Sequence, residues 1–201
     1  MRVTRRVGVT VAIAAALLAV GPRATTQTPQ TPSYGITLMR DIMVPMRDGV
    51  KLATDIYLPA VDGKALPGKL PVIFERTPYN KERGGAANAR AFVPYGYAVV
   101  SQDTRGRYKS EGKWRAMADD PNDGADATKW IGAQPWSNGS IGTIGTSYVG
   151  GTQHALAIGD APFLKTMIPV DAMTNIGRYG VRHNGAFELR FFQFAFSIAN
   201  A

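Results

Sequence analysis

Residues 140–151, Ser-Ile-Gly-Thr-Ile-Gly-Thr-Ser-Tyr-Val-Gly-Gly, constrain the fold of this chain more than any other stretch. The first half mixes glycine with small and β-branched residues, the composition of a buried strand. The second half is Gly145-Thr146-Ser147-Tyr148-Val149-Gly150, and small residues then lead into a helical pattern. A strand that turns sharply into a helix, with Ser147 at the apex, is the context of a nucleophile elbow. Such a turn asks the positions flanking Ser147 to tolerate unusual backbone angles and to let strand and helix approach closely. The helix start aims backbone N–H groups at the same point, which favours developing negative charge. The strict Gly-x-Ser-x-Gly spacing is not met, because Val149 stands where the last glycine would fall and Gly150 comes one residue later. On spacing alone two readings stay open: a catalytic serine, or a glycine-rich turn with a helix-capping serine.

The rest of the chain supplies the frame. Residues 42–44 read as a strand ended by Pro45, and Arg47-Asp48-Gly49 as a turn. Val50, Leu52, Thr54, Ile56 and Leu58 then alternate with Lys51, Ala53, Asp55 and Tyr57, the period of a half-buried strand that closes a hairpin. Residues 70–76 and 97–101 read as buried strands. Residues 86–93 read as a helix closed by Pro94 and Gly96. Residues 123–134 form a second helix that Asp123 is placed to cap, with Ala127, Trp130 and Ile131 on one face. The strand at 140–144 is followed by a helix over 148–158 and a strand over 165–170. A hairpin followed by repeating strand–helix units predicts an α/β domain with a mainly parallel sheet.

Composition matters mostly for what it excludes. There is no cysteine, so disulfides and thiolate metal sites are impossible. The formal charge is +8, from 23 Lys and Arg against 15 Asp and Glu. Four of those cations (Arg2, Arg5, Arg6, Arg23) lie in the first 24 residues; without them 19 face 15, and the remainder is about +4. No basic run interleaved with aromatics appears, so no nucleic-acid partner is expected. Arg2, Arg5 and Arg6 precede an apolar run of 14 residues from Val7 to Val20, too short for a membrane span of about 20. Residues 1–24 therefore have the layout of a secretory signal peptide, with an uncleaved anchor as the alternative. Residues 25–35, rich in Thr, Gln and Pro, read as a disordered linker. A secreted or periplasmic location, without stable membrane association after cleavage, is expected. No metal or cofactor motif is present.

Further motifs, in order, carry a resemblance. They are Met46-Arg47-Asp48-Gly49-Val50-Lys51-Leu52 with Asp55-Ile56-Tyr57-Leu58-Pro59; Arg76-Thr77-Pro78-Tyr79-Asn80-Lys81; Gln102-Asp103-Thr104-Arg105-Gly106-Arg107-Tyr108-Lys109-Ser110-Glu111-Gly112; and Asp123-Gly124 through Trp130, then Gln134-Pro135-Trp136-Ser137-Asn138-Gly139. With Gly145-Thr146-Ser147-Tyr148-Val149-Gly150 they resemble the cocaine esterase and Xaa-Pro dipeptidyl-peptidase (CocE/NonD) family of α/β-hydrolases, whose own elbow is Gly-x-Ser-Tyr-x-Gly. The resemblance runs over residues 36–196. It implies an α/β-hydrolase domain over 36–175, the start of a helical cap over 176–201, and a chain that is the N-terminal part of a longer protein. The apolar tail from residue 187, which ends without a cap, fits that expectation.

The resemblance also implies roles. Ser147 would be the nucleophile that forms an acyl-enzyme. The Tyr148 backbone N–H would be one oxyanion donor, and the Tyr79 hydroxyl the second. In α/β-hydrolases the triad order is Ser, then Asp, then His. His154 lies two helical turns, about 10 Å, beyond Ser147, so a packing role is expected; for His183 a local hydrogen bond or surface role is expected. Asp103 precedes Ser147, which is out of order for the triad acid, and is expected to fix its loop by pairing with Arg105 or Arg107. Asp171 ends a strand, but the family's acid follows the cap. The triad Asp and His are therefore expected beyond residue 201, with the family's β-sandwich domain. Relatives acting on α-amino acid esters carry cap carboxylates that bind the substrate ammonium; the stretch 178–185 here has Arg178 and Arg182 and no carboxylate. The expected activity is hydrolysis of a small acyl ester or amide. An Xaa-Pro dipeptidyl-peptidase acting on peptides and a non-catalytic exported binding module stand as alternatives.

Overall fold

The computed structural model describes residues 31–172, 175, 181–189, 191, 193, 197 and 198. The chain divides into two units, residues 1–30 and residues 31–201. The expected signal segment 1–24 lies outside the described residues, as do Arg178, Tyr179 and Gly180 of the expected cap. Of the expected linker, residues 31–34 are irregular, yet the N–H groups of Ser33 and Tyr34 already donate to the Pro94 carbonyl at 2.9 and 3.4 Å.

Strand β1 (Gly35–Pro45) and β2 (Lys51–Val61) form the antiparallel hairpin. There follow β3 (Lys64–Ala65), β4 (Leu70–Thr77), α1 (Lys81–Phe92), a 3₁₀ turn (Val93–Tyr95), β5 (Ala98–Asp103), α2 (Asp120–Gly132), β6 (Ser137–Thr146), α3 (Tyr148–Ile158), β7 (Leu164–Val170), and the short pair β8 (Arg182–His183) and β9 (Ala186–Phe187). The sheet order is β1-β2-β5-β4-β6-β7, with β3 added to β2. β2 pairs antiparallel with β1 and β5, while β5, β4, β6 and β7 run parallel. Parallel neighbours need crossover connections, and α1, α2 and α3 supply them. This is the mixed, mainly parallel sheet of an α/β-hydrolase.

Several element bounds differ from the sequence reading. β1 is longer than 42–44 because a bulge between Met39 and Ile42, with Asp41 at φ 55°, breaks the alternation. β2 is buried on both faces rather than half-buried. It lies between β1 and β5, and α1 covers one face. Ile56 and Leu58 join Val72, Phe74, Val100, Ile131, Ile141 and Leu156 in the main core, while Tyr57 packs with Ala89, Val93 and Val99 on the other side. α1 starts at Lys81 instead of 86, through Gly84 and Gly85. These glycines disguise the helix but let it lie against the sheet: a Cβ on Gly84 would meet Glu75 Oε1 at 2.0 Å, and one on Gly85 would meet Ser101 Cβ at 2.7 Å. Asn80 caps α1 by accepting from the Glu82 N–H at 3.0 Å. α2 begins at Asp120 with Pro121 in its first turn, so Asp123 is inside the helix and does not cap it.

Candidate active site

Ser147 stands between β6 and α3 with φ 59° and ψ −120°, a sparsely populated region for a residue with a side chain. Its N–H donates to the Val170 carbonyl at 2.9 Å, and its carbonyl accepts from Gly151 at 2.9 Å. Its side chain makes no capping hydrogen bond to α3 and is exposed. The hydroxyl is thus left out of the helix-capping role. The unusual backbone angle falls on Ser147 itself, not on the flanking glycines, none of which has positive φ. Those glycines serve close approach: a Cβ on Gly145 would meet Val149 Cγ1 at 2.2 Å, and one on Gly150 would meet Ala172 Cβ at 2.6 Å and the Val170 carbonyl at 3.1 Å. Gly150→Ala is therefore expected to push α3 off the end of β7 and to destabilise by about 1–3 kcal/mol despite alanine's better helix propensity. A urea midpoint equal to wild type would contradict this.

Tyr148 is the first residue of α3, so its N–H is among the donors that a helix start leaves without an intrahelical partner. Its side chain is buried, its Oη accepts from the Met117 N–H at 3.0 Å, and burial pushes its pKa up. Tyr79 comes from the loop between β4 and α1. β4 lies beside β6 in parallel, so their carboxyl ends open at the same edge of the sheet. The Tyr79 and Tyr148 rings meet edge-on, with centroids 6.1 Å apart. The fold therefore brings together all three residues singled out from the sequence.

The loop carrying Tyr79 is tied down by the strand beside it. The Thr104 N–H donates to the Thr77 carbonyl at 3.0 Å, and the Tyr79 N–H to Thr77 Oγ1 at 3.0 Å. Asp103 accepts from the Lys81 N–H at 2.7 Å. It does fix a loop, but its partner is the start of α1 and not Arg105 or Arg107. Arg105 pairs with Asp48 and Asp123, and Arg107 binds backbone carbonyls. The Lys81 ammonium is 1% exposed and bridges Asp41 at 2.7 Å and Asp55 at 3.0 Å.

Burial pushes the Asp103 carboxyl up to about 6, against the pull of Lys81. The folded state then holds this proton up to about pH 6, whereas the unfolded chain releases it near pH 4. Between those values the folded state binds more protons, so this group's contribution to stability falls as pH rises. Asp103→Asn cannot ionise. The variant's stability relative to wild type is expected to rise by up to about 3 kcal/mol between pH 4 and 6, read from urea unfolding at a series of pH values. A flat difference across that window would refute it.

Among the described residues no hydrogen bond joins either histidine to the Ser147 hydroxyl. His154 is half-buried on α3, and its Nδ1 has no partner among the described residues. His183, in the β8–β9 pair, contacts Glu188. Asp171 follows β7 on the surface. A cavity of about 540 Å³ lies beside the elbow, bounded by Glu75, Thr77, Tyr79, Asn88, Thr146 and Val149 among others. Glu75 was not singled out from the sequence. Burial raises its pKa, and hydrogen bonds from Asn88 at 2.6 Å and Ser101 at 3.5 Å oppose that rise. Nothing short of the fold marks this Glu, since its neighbours come from α1 and β5.

Known proteins are similar to this chain in sequence and in fold. Cocaine esterase from Rhodococcus sp. (strain MB1 Bresler) is 41% identical over 143 residues, which are 69% of this chain and 24% of that protein. A CocE/NonD family hydrolase from Staphylococcus aureus superposes with a TM-score of 0.71 at 29% identity, covering 82% of this chain and 34% of the other. An α-amino acid ester hydrolase superposes with a TM-score of 0.67 at 28% identity, covering 87% and 32%. The chain thus spans about a quarter of the length of that curated relative. The model of the X-Pro dipeptidyl-peptidase (S15) family matches residues 48–199, from the turn after β1 past the last short strand pair, and the chain belongs to that family.

Proposed function

We propose that the protein carrying this chain is a secreted or periplasmic serine hydrolase of acyl esters or amides, working through an acyl-enzyme on Ser147. The observation that carries this reading is the backbone of Ser147, φ 59° and ψ −120° at a strand–helix apex with its hydroxyl unused by the helix, next in the chain to Tyr148, whose ring meets that of Tyr79. In this reading Ser147 Oγ attacks the substrate carbonyl and gives its proton to a histidine. The tetrahedral oxygen receives hydrogen bonds from the Tyr148 N–H and the Tyr79 hydroxyl. Collapse expels the alcohol or amine, and water then releases the acid from Ser147. The triad Asp and His are assigned to chain beyond residue 201; the order Ser, Asp, His of such triads and the quarter of its curated relative that the chain spans support this reading. Residues 36–175 and 176–201 are then the first part of the hydrolase domain and the start of its cap, following a signal peptide at 1–24. Residues 25–201 alone are expected to show no turnover.

The test is to incubate the full-length gene product with a fluorophosphonate and map the adduct by mass spectrometry, with Ser147→Ala as control. An adduct on Ser147 supports the reading; a folded protein that stays unlabelled favours a non-catalytic binding module. The family's description favours a second reading, an Xaa-Pro dipeptidyl-peptidase. Faster release of p-nitroaniline from an Xaa-Pro anilide than of p-nitrophenol from short acyl esters would select it.

A further inference from the structure

Arg107 is 5% exposed, and among the described residues no carboxylate pairs with it. A buried cation without an acid partner carries a desolvation cost that hydrogen bonds and ring contacts must offset. Its surroundings point to the candidate active site. Nε donates to the Pro78 carbonyl at 3.1 Å, directly before Tyr79, and Nη1 donates to the Ile198 carbonyl at 2.6 Å. The guanidinium lies over the rings of Tyr108 and Trp114, 5.4 and 5.3 Å from their centroids. The Trp114 ring in turn lies 6.4 Å from that of Tyr148. One side chain thus touches the segment that carries Tyr79 and stacks on a tryptophan whose ring lies against that of Tyr148. We infer that Arg107 is a positioning residue: by holding the Pro78 carbonyl it places the Tyr79 hydroxyl, and its uncompensated charge makes that hydroxyl a stronger hydrogen-bond donor. The charge acts on Tyr79 in the direction required, opposing the rise in the tyrosine's pKa that burial causes. A guanidinium suits this position better than an ammonium, because its planar fork serves two carbonyls and stacks on aromatic faces at once.

The inference rests on the serine-hydrolase reading. It is tested by a double-mutant cycle in the full-length protein, with Arg107→Met and Arg107→Lys made in the wild-type and Tyr79→Phe backgrounds. The readouts are the rate of fluorophosphonate labelling at Ser147, and kcat and KM on a p-nitrophenyl ester. Arg107→Met is expected to lower the labelling rate and kcat by about 10–100-fold with KM little changed, and Arg107→Lys by less. In the Tyr79→Phe background either change is expected to cost under about threefold, because the group it acts through is gone. Equal losses in both backgrounds would overturn the inference while leaving the hydrolase reading intact. Absence of labelling at Ser147 in the wild-type protein would remove both. If Arg107→Met does not fold, as judged by its thermal melt, the Arg107→Lys arm decides by the same comparison.

Discussion

Ser147→Ala is expected to lower kcat by about 10⁶-fold, the largest effect of any single change in this chain. In the proposed reading the covalent route disappears while the oxyanion donors and the binding surface remain. KM on a reactive ester should change little. Stability gives a second, independent reading of the same position. Alanine keeps a Cβ at φ 59°, so the backbone strain stays, whereas glycine relieves it. Ser147→Gly is therefore expected to be as inactive as Ser147→Ala yet about 1–3 kcal/mol more stable. Strain held at Ser147 is what the proposed role as nucleophile would account for. If Ser147→Ala retains hydrolysis within tenfold of wild type, with the same substrate preference, the nucleophile is another residue. If Ser147→Gly is no more stable than Ser147→Ala, the strained backbone has no energetic content.

Arg76→Met is expected to cost about 3–5 kcal/mol of stability, read from urea unfolding of the full-length protein. Arg76 is 3% exposed. It donates to the Asp120 carboxylate at 2.7 Å and carbonyl at 3.1 Å, approaches Asp123 at 3.6 Å, and donates to Gln102 at 3.0 Å. Methionine fills much of the volume but leaves Asp120 buried without its cation. Asp120 already has its pKa raised by burial, against the pull of Arg76, and losing that cation raises it further. The variant should therefore regain part of its deficit at acidic pH, where Asp120 binds a proton. Asp123 is cushioned because Arg105 still pairs with it at 2.6 Å. The double change Arg76→Met with Asp120→Asn is expected to be milder than Arg76→Met alone, since the uncompensated charge goes with its partner. A loss below about 1 kcal/mol for Arg76→Met would show that water reaches Asp120.

The mainly parallel sheet, the opening hairpin and the strand–Ser147–helix order were all legible in the chain. Their signals are local: alternation in β2, small and β-branched residues in β6, and the glycines around Ser147. The misplacements share a cause. α1 hides behind Gly84 and Gly85, whose lack of side chains answers to Glu75 and Ser101 on other strands. The extent of β1 hides behind a bulge at Asp41, whose carboxylate binds Lys81 and Lys109 from elsewhere in the chain. Asp123 has the profile of a cap, but its carboxylate is taken by Arg105 and Arg76.

The candidate site divides in the same way. Ser147 and Tyr148 are adjacent, so the elbow and its proposed donor are encoded in a few consecutive residues. Tyr79 could be tied to them in the sequence only by resemblance. Its physical link to the elbow exists because β4 and β6 are parallel neighbours and open at one edge. Arg107, Asp103 and Glu75 are ordinary polar residues in a sequence. They gain meaning when burial removes water from around them and leaves each with the few partners that the fold supplies. Sequence by itself determined most of the elements and the turn at Ser147, because backbone preference and hydrophobic period act over a few residues. Tertiary structure alone decided which charges are buried, what they pair with and which loop they hold, because desolvation and hydrogen bonding depend on neighbours that are distant along the chain.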